Sequence, residues 1–189
     1  MAVLPVYNCF HPVLKKPTEQ INEINGDLKK LVEDMFETMY IANGIGLAAN
    51  QVGVSKSLIV IDVNSGNKEK KYDIPPIALI NPTILEFSEE LFEYEEGCLS
   101  VPQFYEYVIR PKLIQVHYYD LNGNEQSIDA DEMLARVIQH EFDHLNGILF
   151  FERLTAIKRT LAKSKLRKIQ KGQIKTDYPM ISQDGILIE

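Results

Sequence analysis

The segment His140-Glu141-Phe142-Asp143-His144 sets two imidazoles four residues apart. On a helix that spacing puts both rings on one face, about one turn apart, where they can bind the same metal ion. Glu141, next to the first imidazole, reaches a metal-bound water rather than the metal itself. A bound metal lowers the pKa of that water from ~15.7 to about 7. The carboxylate then takes its proton and passes it to a leaving group. The same pattern also occurs on solvated helices. Here Met133, Leu134, Val137 and Ile138 precede it at helical spacing, so the face looks inward. A carboxylate buried there without a function is costly.

Two ligands do not hold a catalytic metal well, and three protein ligands plus water is the usual arrangement. Six residues after His144 stands Phe150, and beyond Glu152 no Asp, Glu or His occurs until Asp177. Glu152, after an extended stretch from Gly147, is a poorly suited third ligand. Upstream, His117 shares a strand face with Gln115 and Tyr119 and reads as an ordinary strand residue. His11 and Cys9 stand near the N-terminus, and Cys9 reads as a structural or exposed thiol. Cys98 differs: Gly97 breaks the strand before it and Pro102 stiffens the exit. A glycine beside a thiolate permits close backbone approach to a ligand. A lone cysteine is more often a buried structural residue. Beside a histidine pair that lacks a ligand, Cys98 is the best choice.

The stretch Gly44 to Gly53 is rich in glycine but is no phosphate loop. It lacks the Lys-Ser/Thr ending and follows a helix instead of a strand. Its small residues suggest a backbone edge against which a peptide lies, with Gln51 offering an N–H donor.

These residues need elements to position them. The chain has 189 residues, 45% hydrophobic and 25% charged, which suits one soluble globular domain. The net charge of −7 argues against general nucleic-acid affinity. No apolar run approaches the ~20 residues that span a bilayer, and the N-terminus lacks a signal-peptide pattern, so a cytoplasmic location is expected. In a reducing compartment the two cysteines are expected to stay unpaired. Leu28, Leu31, Val32, Met35, Phe36, Met39 and Tyr40 form one apolar helical face, with Asp27 as the expected N-cap and Asn43-Gly44 as the stop. Ser57 to Val63 and Ile77 to Leu85 read as strands, the second interrupted by Pro82. Alternation from Leu91 breaks at Gly97. Lys112 to Asp120 and Glu125 to Ile128 form a hairpin around Asn122-Gly123. Asp131 caps a second helix that Gly147 ends, and a third runs from Thr155 to Lys171. The fold class is α+β. One catalytic domain is expected over residues 1–172, with its basic C-terminal helix at about 155–171, followed by a loosely held tail over 173–189. From Arg153 to Lys175 nine basic residues follow one another with no acid among them, a pattern usual for a solvated face.

Three segments in order, Gly44 to Gln51, Glu96 to Ser100 and Gln139 to His144, together resemble the peptide deformylase family, over roughly Leu4 to Thr155. The resemblance implies antiparallel and mixed sheets packed around a central metal-binding helix, with an N-terminal and a C-terminal helix. It implies a hydrolase that removes the formyl group from the N-terminal formyl-methionine of newly synthesised polypeptides by attack of metal-bound hydroxide on the formyl carbon. Cys98, His140 and His144 are the implied ligands of one divalent ion, Fe2+ in the native state, with Zn2+ or Ni2+ in purified protein. Glu141 is the implied general base and acid, and the Gln51 amide and Leu99 N–H the oxyanion donors. Ile45, Gly46 and Gly97 would bond the peptide backbone, and Met133 and Val137 would line the methionine pocket. Glu96 and Arg110 match positions that pair in the family and would support the cysteine loop. Tyr105 stands where some members carry an arginine that contacts substrate. At the end of such an enzyme the basic helix resembles a ribosome-binding element; no membrane and no sequence-specific nucleic acid are expected as partners. A zinc endopeptidase would need a downstream third ligand. A structural metal module would need a fourth ligand, from Glu95, Glu96 or His117.

Overall fold

The computed structural model describes residues 2–66 and 72–188; residues 1, 67–71 and 189 lie outside it. The chain begins with a short strand, β1 (Val6–Tyr7), and a 3-10 turn at Pro12–Lys15. Helix α1 (Gly26–Ile41) follows, and its buried residues Leu28, Val32, Met35 and Met39 recur every three or four positions. Its cap differs from expectation: Asn25 accepts the Leu28 N–H at 3.0 Å, and Asp27 sits inside the first turn. Both residue types cap well, so the sequence alone could not choose between positions two apart. The helix stops before Asn43, which takes a left-handed φ of 55°.

Strands β2 (Gly46–Ala48), β3 (Leu58–Ile61), β4 (Ile77–Phe87), β7 (Ile114–Tyr119) and β8 (Glu125–Ala130) form a five-stranded antiparallel sheet in that order. Between β4 and β7 run β5 (Leu91–Cys98) and β6 (Val101–Pro111), paired antiparallel as a separate two-stranded sheet. Pro82 lies inside β4 and does not end it. It falls where the register with β7 shifts between Ile80 and Thr83, a place where a missing N–H costs no ladder bond. Beside it Asn81, at φ 51°, exchanges two 2.8 Å side-chain hydrogen bonds with the backbone of Ile21.

Strand β3 divides the core by its pleat. Ile59 and Ile61 pack with Leu134, Val137 and Ile138 of helix α2 (Glu132–Leu145), while Leu58 and Val60 pack with Val32, Met35 and Met39 of α1. Two helices thus cover the two faces of one sheet. Asp131 occupies the N-cap position of α2, although its side chain makes no capping bond. A third cluster joins Phe104 and Val108 of β6 to Phe150, Leu149 and helix α3 (Ala156–Gln170) through Ala162 and Ile169. Thr155 caps α3 by accepting the Lys158 N–H.

The residues after Gly172 correct the expectation of a loosely held tail. Strand β9 (Met180–Ile181) pairs in parallel with β1 and antiparallel with β10 (Leu187–Ile188). Met180 is buried, and Val6 N–H donates to Pro179 O at 2.8 Å. Two-residue strands carry no readable alternation, and their partner lies at the other end of the chain. Among the described residues no helix is long and apolar enough to cross a membrane.

Candidate active site

Helix α2 enters the core with an almost wholly buried surface. His140, Glu141, Asp143 and His144 are all buried, although all four are charged or chargeable types. Such burial demands partners. Glu96, on β5, supplies the first of them: its carboxylate accepts from Arg110 Nε at 2.7 Å, Arg110 Nη2 at 2.9 Å and Arg136 Nη1 at 2.8 Å, and meets His140 Nδ1 at 2.9 Å. Burial alone would raise the Glu96 pKa, but the Arg110 hydrogen bonds and His140 outweigh it and hold the carboxyl well below its ordinary range. The bidentate Arg110–Glu96 pair is the one that the family positions imply.

Arg110 also donates to Asp143 at 2.7 Å, and Arg153 binds the same carboxylate through Nε and Nη2. Arg136 and Arg153 escaped the sequence reading. The available signal was Arg136 itself, one turn before His140 on a face otherwise apolar. A buried arginine there requires a buried acid.

With Nδ1 of His140 engaged by Glu96, its Nε2 faces the other way. The ligand atoms of Cys98, His140 and His144 lie within 4.8 Å of one another. Cys98 Sγ is 3.2 Å from His144 Nε2. Cys98 sits at the end of β5, where the register with β6 shifts, so its side chain leaves the ladder toward α2. A thiolate with two imidazoles suits one divalent transition ion, and three protein ligands leave a further position for water or substrate. Among the described residues no other group of three such side chains converges. Glu96 is occupied by the arginines and Glu95 is exposed. His117 lies on β7 opposite β8, 3.9 Å from Glu125, and Glu152 pairs with Lys15. These observations provide neither the downstream ligand of an endopeptidase nor the fourth ligand of a closed structural site.

Glu141 stands beside the cluster with Oε2 buried and without a hydrogen-bond partner. Burial pushes its pKa up to about 7, opposed by the charges of His140 and Arg110 and reinforced by Glu96. Burial also lowers the His144 pKa, with the charges of His140 and Arg110 acting in the same direction, and so favours the neutral ligand form.

Gln51 lies in the 3-10 turn Ala49–Val52 after β2. Its Oε1 accepts the Ala48 N–H at 2.8 Å, which turns Nε2 toward Ser100 Oγ at 3.2 Å and Cys98 Sγ at 3.5 Å. Gly46 and Gly97 have different reasons to be glycine. A Cβ on Gly46 would stand 2.6 Å from both Glu141 Oε1 and Val137 Cγ1, so any side chain here would push the carboxylate or Val137 aside. A Cβ on Gly97 would meet the Tyr105 ring at 2.5 Å, directly across the β5–β6 ladder. Tyr105 thus lies over Gly97.

A cavity of about 490 Å³ opens onto this cluster. Its walls include Ile45, Gly46 and Gln51 on one side, Gly97, Cys98 and Leu99 on another, and Met133, Val137, His140 and Glu141 along α2. His144 lies deeper, 1% exposed, and joins the site through the ligand cluster and not through the cavity wall.

The family model described as polypeptide deformylase matches residues 3–160. The peptide deformylase of Rhizobium meliloti is 43% identical over 171 residues, covering 90% of this chain and 96% of its own. That of Salinibacter ruber is 40% identical over 187 residues, covering 96% of each. Among solved structures, the peptide deformylase of Ehrlichia chaffeensis superposes with a TM-score of 0.81 at 40% identity, covering 91% of this chain and 99% of its own. A plant peptide deformylase gives 0.84 at 35%, covering 90% of each. Matches of this extent, with a Cys/His/His cluster at the end of a cavity, establish that the chain belongs to the polypeptide deformylase family of metal-dependent enzymes that remove N-formyl groups.

Proposed function

We propose that Cys98, His140 and His144 hold one ion, ferrous iron in the native protein, and that Glu141 is the general base and acid for deformylation of N-terminal formyl-methionine. The observation that carries this reading is the buried Glu141 carboxylate, with Oε2 unpartnered, beside the ligand cluster on the cavity wall. When bound, the ion supplies Lewis acidity that makes water acidic and polarises the formyl oxygen. Zinc or nickel replaces iron in purified protein, because a thiolate and two imidazoles accept all three.

Glu141 takes the water proton at its free oxygen and delivers it to the amine that leaves as formate forms. Gln51 Nε2 and the Leu99 N–H stabilise the developing oxyanion; one such donor is worth about 3–4 kcal/mol in the transition state. The position of Nε2, held by the Ala48–Gln51 bond at the edge of the ligand cluster, supports that role. The peptide adds as a strand to β2, which terminates the five-stranded sheet. Ile45, Gly46 and Gly97 supply its backbone bonds. Met133 and Val137, one turn apart on α2, border the methionine side chain.

The enzyme works in the cytoplasm and meets its substrates at the ribosome through α3. Arg159, Lys163, Arg167, Lys168 and Lys171 are exposed on that helix, whereas Lys158 is engaged with Glu106 and the Tyr107 carbonyl. Ala162 and Ile169 tie α3 to the core, so charge reversal at Lys163 and Lys168 is a cleaner test of docking than truncation.

The catalytic assignment is tested by assaying formyl-Met-Ala with Glu141→Ala whose metal content is verified. Activity at the unmutated level sinks it. Metal analysis of anaerobically purified protein tests the assignment of iron.

A further inference from the structure

The family match ends at residue 160, yet four residues beyond it line the catalytic cavity: Lys175, Thr176, Asp177 and Tyr178. They form a strap between α3 and β9, and the strap is fixed at several points. Tyr178 OH donates to Leu99 O at 2.8 Å, Gln103 Nε2 donates to Lys175 O at 3.1 Å, and Thr176 Oγ1 donates to Tyr178 O at 2.6 Å. Immediately after it, Pro179 accepts from Val6 N–H, and Met180 and Ile181 pair with β1. The strap is therefore anchored at its near end by Gln103 of β6, and at its far end by Leu99 in the β5–β6 turn and by the β1–β9 pairing.

The anchor on Leu99 matters most. Residues Cys98 to Ser100 join a metal-ligand position to the turn into β6, and together they are held from three other parts of the chain. Gln51 Nε2 reaches Cys98 Sγ and Ser100 Oγ, Cys9 N–H donates to Ser100 O at 2.9 Å, and Tyr178 OH holds the carbonyl of Leu99. Without the Tyr178 hydroxyl, the Leu99 carbonyl loses this side-chain anchor. A peptide unit held at its carbonyl keeps its neighbours' N–H vectors within a narrow range, which is what a donor acting in a transition state requires.

We propose that the Lys175–Tyr178 strap is a working wall of the substrate cavity, in which the Tyr178 hydroxyl is a positioning group for the Leu99 backbone and the strap borders the substrate beyond its first two residues. The substrate class is a formylated peptide longer than a dipeptide. The inference rests on the placement of the oxyanion donor at Leu99 described under the proposed function.

Tyr178→Phe removes the hydroxyl and keeps the ring. The expected result with formyl-Met-Ala is a fall in kcat of ~3–10-fold at unchanged KM, the scale of one lost hydrogen bond, with unchanged metal content and melting temperature. An unchanged kcat, or a fall that tracks lost metal or a lowered melting temperature, overturns the positioning role. The wall is tested separately with Lys175→Gly combined with Asp177→Gly, which leaves Tyr178 and β9 in place. The ratio of kcat/KM for formyl-Met-Ala-Ser to that for formyl-Met-Ala changes several-fold if the strap borders the longer peptide, and an unchanged ratio overturns that part. If the unmutated enzyme fails to deformylate formyl-Met-Ala, the functional reading itself fails. If it succeeds and the variants match it, only the strap proposal falls.

Discussion

Helices α2 and α3 are nearly equal in length and opposite in every other respect. Eleven side chains of α2 are buried, against Ala162 and Ile169 alone in α3. In α2 the buried set includes Arg136 and His140, which meet Glu96, Asp143, which meets Arg110 and Arg153, and Glu141 and His144 beside the ligand cluster. In α3 most charges face water, and its residues are good helix formers with a Thr155 cap. The difference shows where sequence constraint lies. A helix held by propensity tolerates exchange along most of its length. A helix that threads charged groups through a core tolerates little, because most of those charges are partners of another and the rest face the site.

The comparison breaks most visibly at Glu141. Replacing it with Ala while the ion stays bound is expected to lower kcat by ~10²–10⁴-fold, read by a formyl-Met-Ala assay beside metal analysis. A comparable loss from any single exposed lysine of α3 would show that the contrast is mistaken.

Glu96→Ala removes the carboxylate shared by two buried guanidinium groups and the His140 ring. An unfolding free energy lower by about 3–5 kcal/mol is expected in denaturant titration, with weakened metal retention. Gly46→Ala probes the same region from the facing strand. Its Cβ must displace Glu141 Oε1 or Val137, and a misplacement on the 1 Å scale is expected to cost ~10²-fold in kcat while the protein remains folded. Steady-state kinetics with circular dichroism separates that outcome from unfolding.

A smaller effect concerns pH. In metal-free protein the folded pKa of Glu141 lies near 7, above the ordinary value of 4.5. The folded state then binds the extra proton between those values. Glu141 therefore contributes stability that is present below pH 4.5 and is lost as pH rises through about 7. The slope is at most about 1.4 kcal/mol per pH unit. Glu141→Gln should flatten this part of the stability profile, and an unchanged profile would sharpen the view that neighbouring charges dominate. At the smallest end, Lys163→Glu with Lys168→Glu should alter stability by less than about 1 kcal/mol. Ribosome co-sedimentation at low salt should fall, and unchanged co-sedimentation removes α3 from the docking surface.

The two helices also differ in how well they could be read in advance. The His140–His144 spacing, the apolar positions before it and the thiol beside Gly97 are local patterns, and local patterns survive in a sequence. So does the hairpin at Asn122-Gly123, where Gly123 takes the φ of 83° that such a turn requires. What was hidden is non-local. Arg136 stands out on its apolar face, but nothing local names its partner until β5 brings Glu96 against it. Arg153 reads as the start of a basic run until Asp143 claims it. The partnership of β1 with β9 left no trace, because two residues fix no period and the pleat offers no clue to a partner so remote. Tyr105 read only as an absent arginine, while the ladder makes it the neighbour that Gly97 must accommodate.

The pairing of Val6 with Met180 has a consequence for the order in which the enzyme comes into being. A contact between residues so far apart in sequence closes a loop of nearly the whole chain. Contacts of this kind form late in folding, since the closure entropy must be met before the contact rewards it. Cys98, His140 and His144 all precede Tyr178 in synthesis. During its own birth, each copy has its metal-ligating residues before it has the strap that walls its substrate cavity.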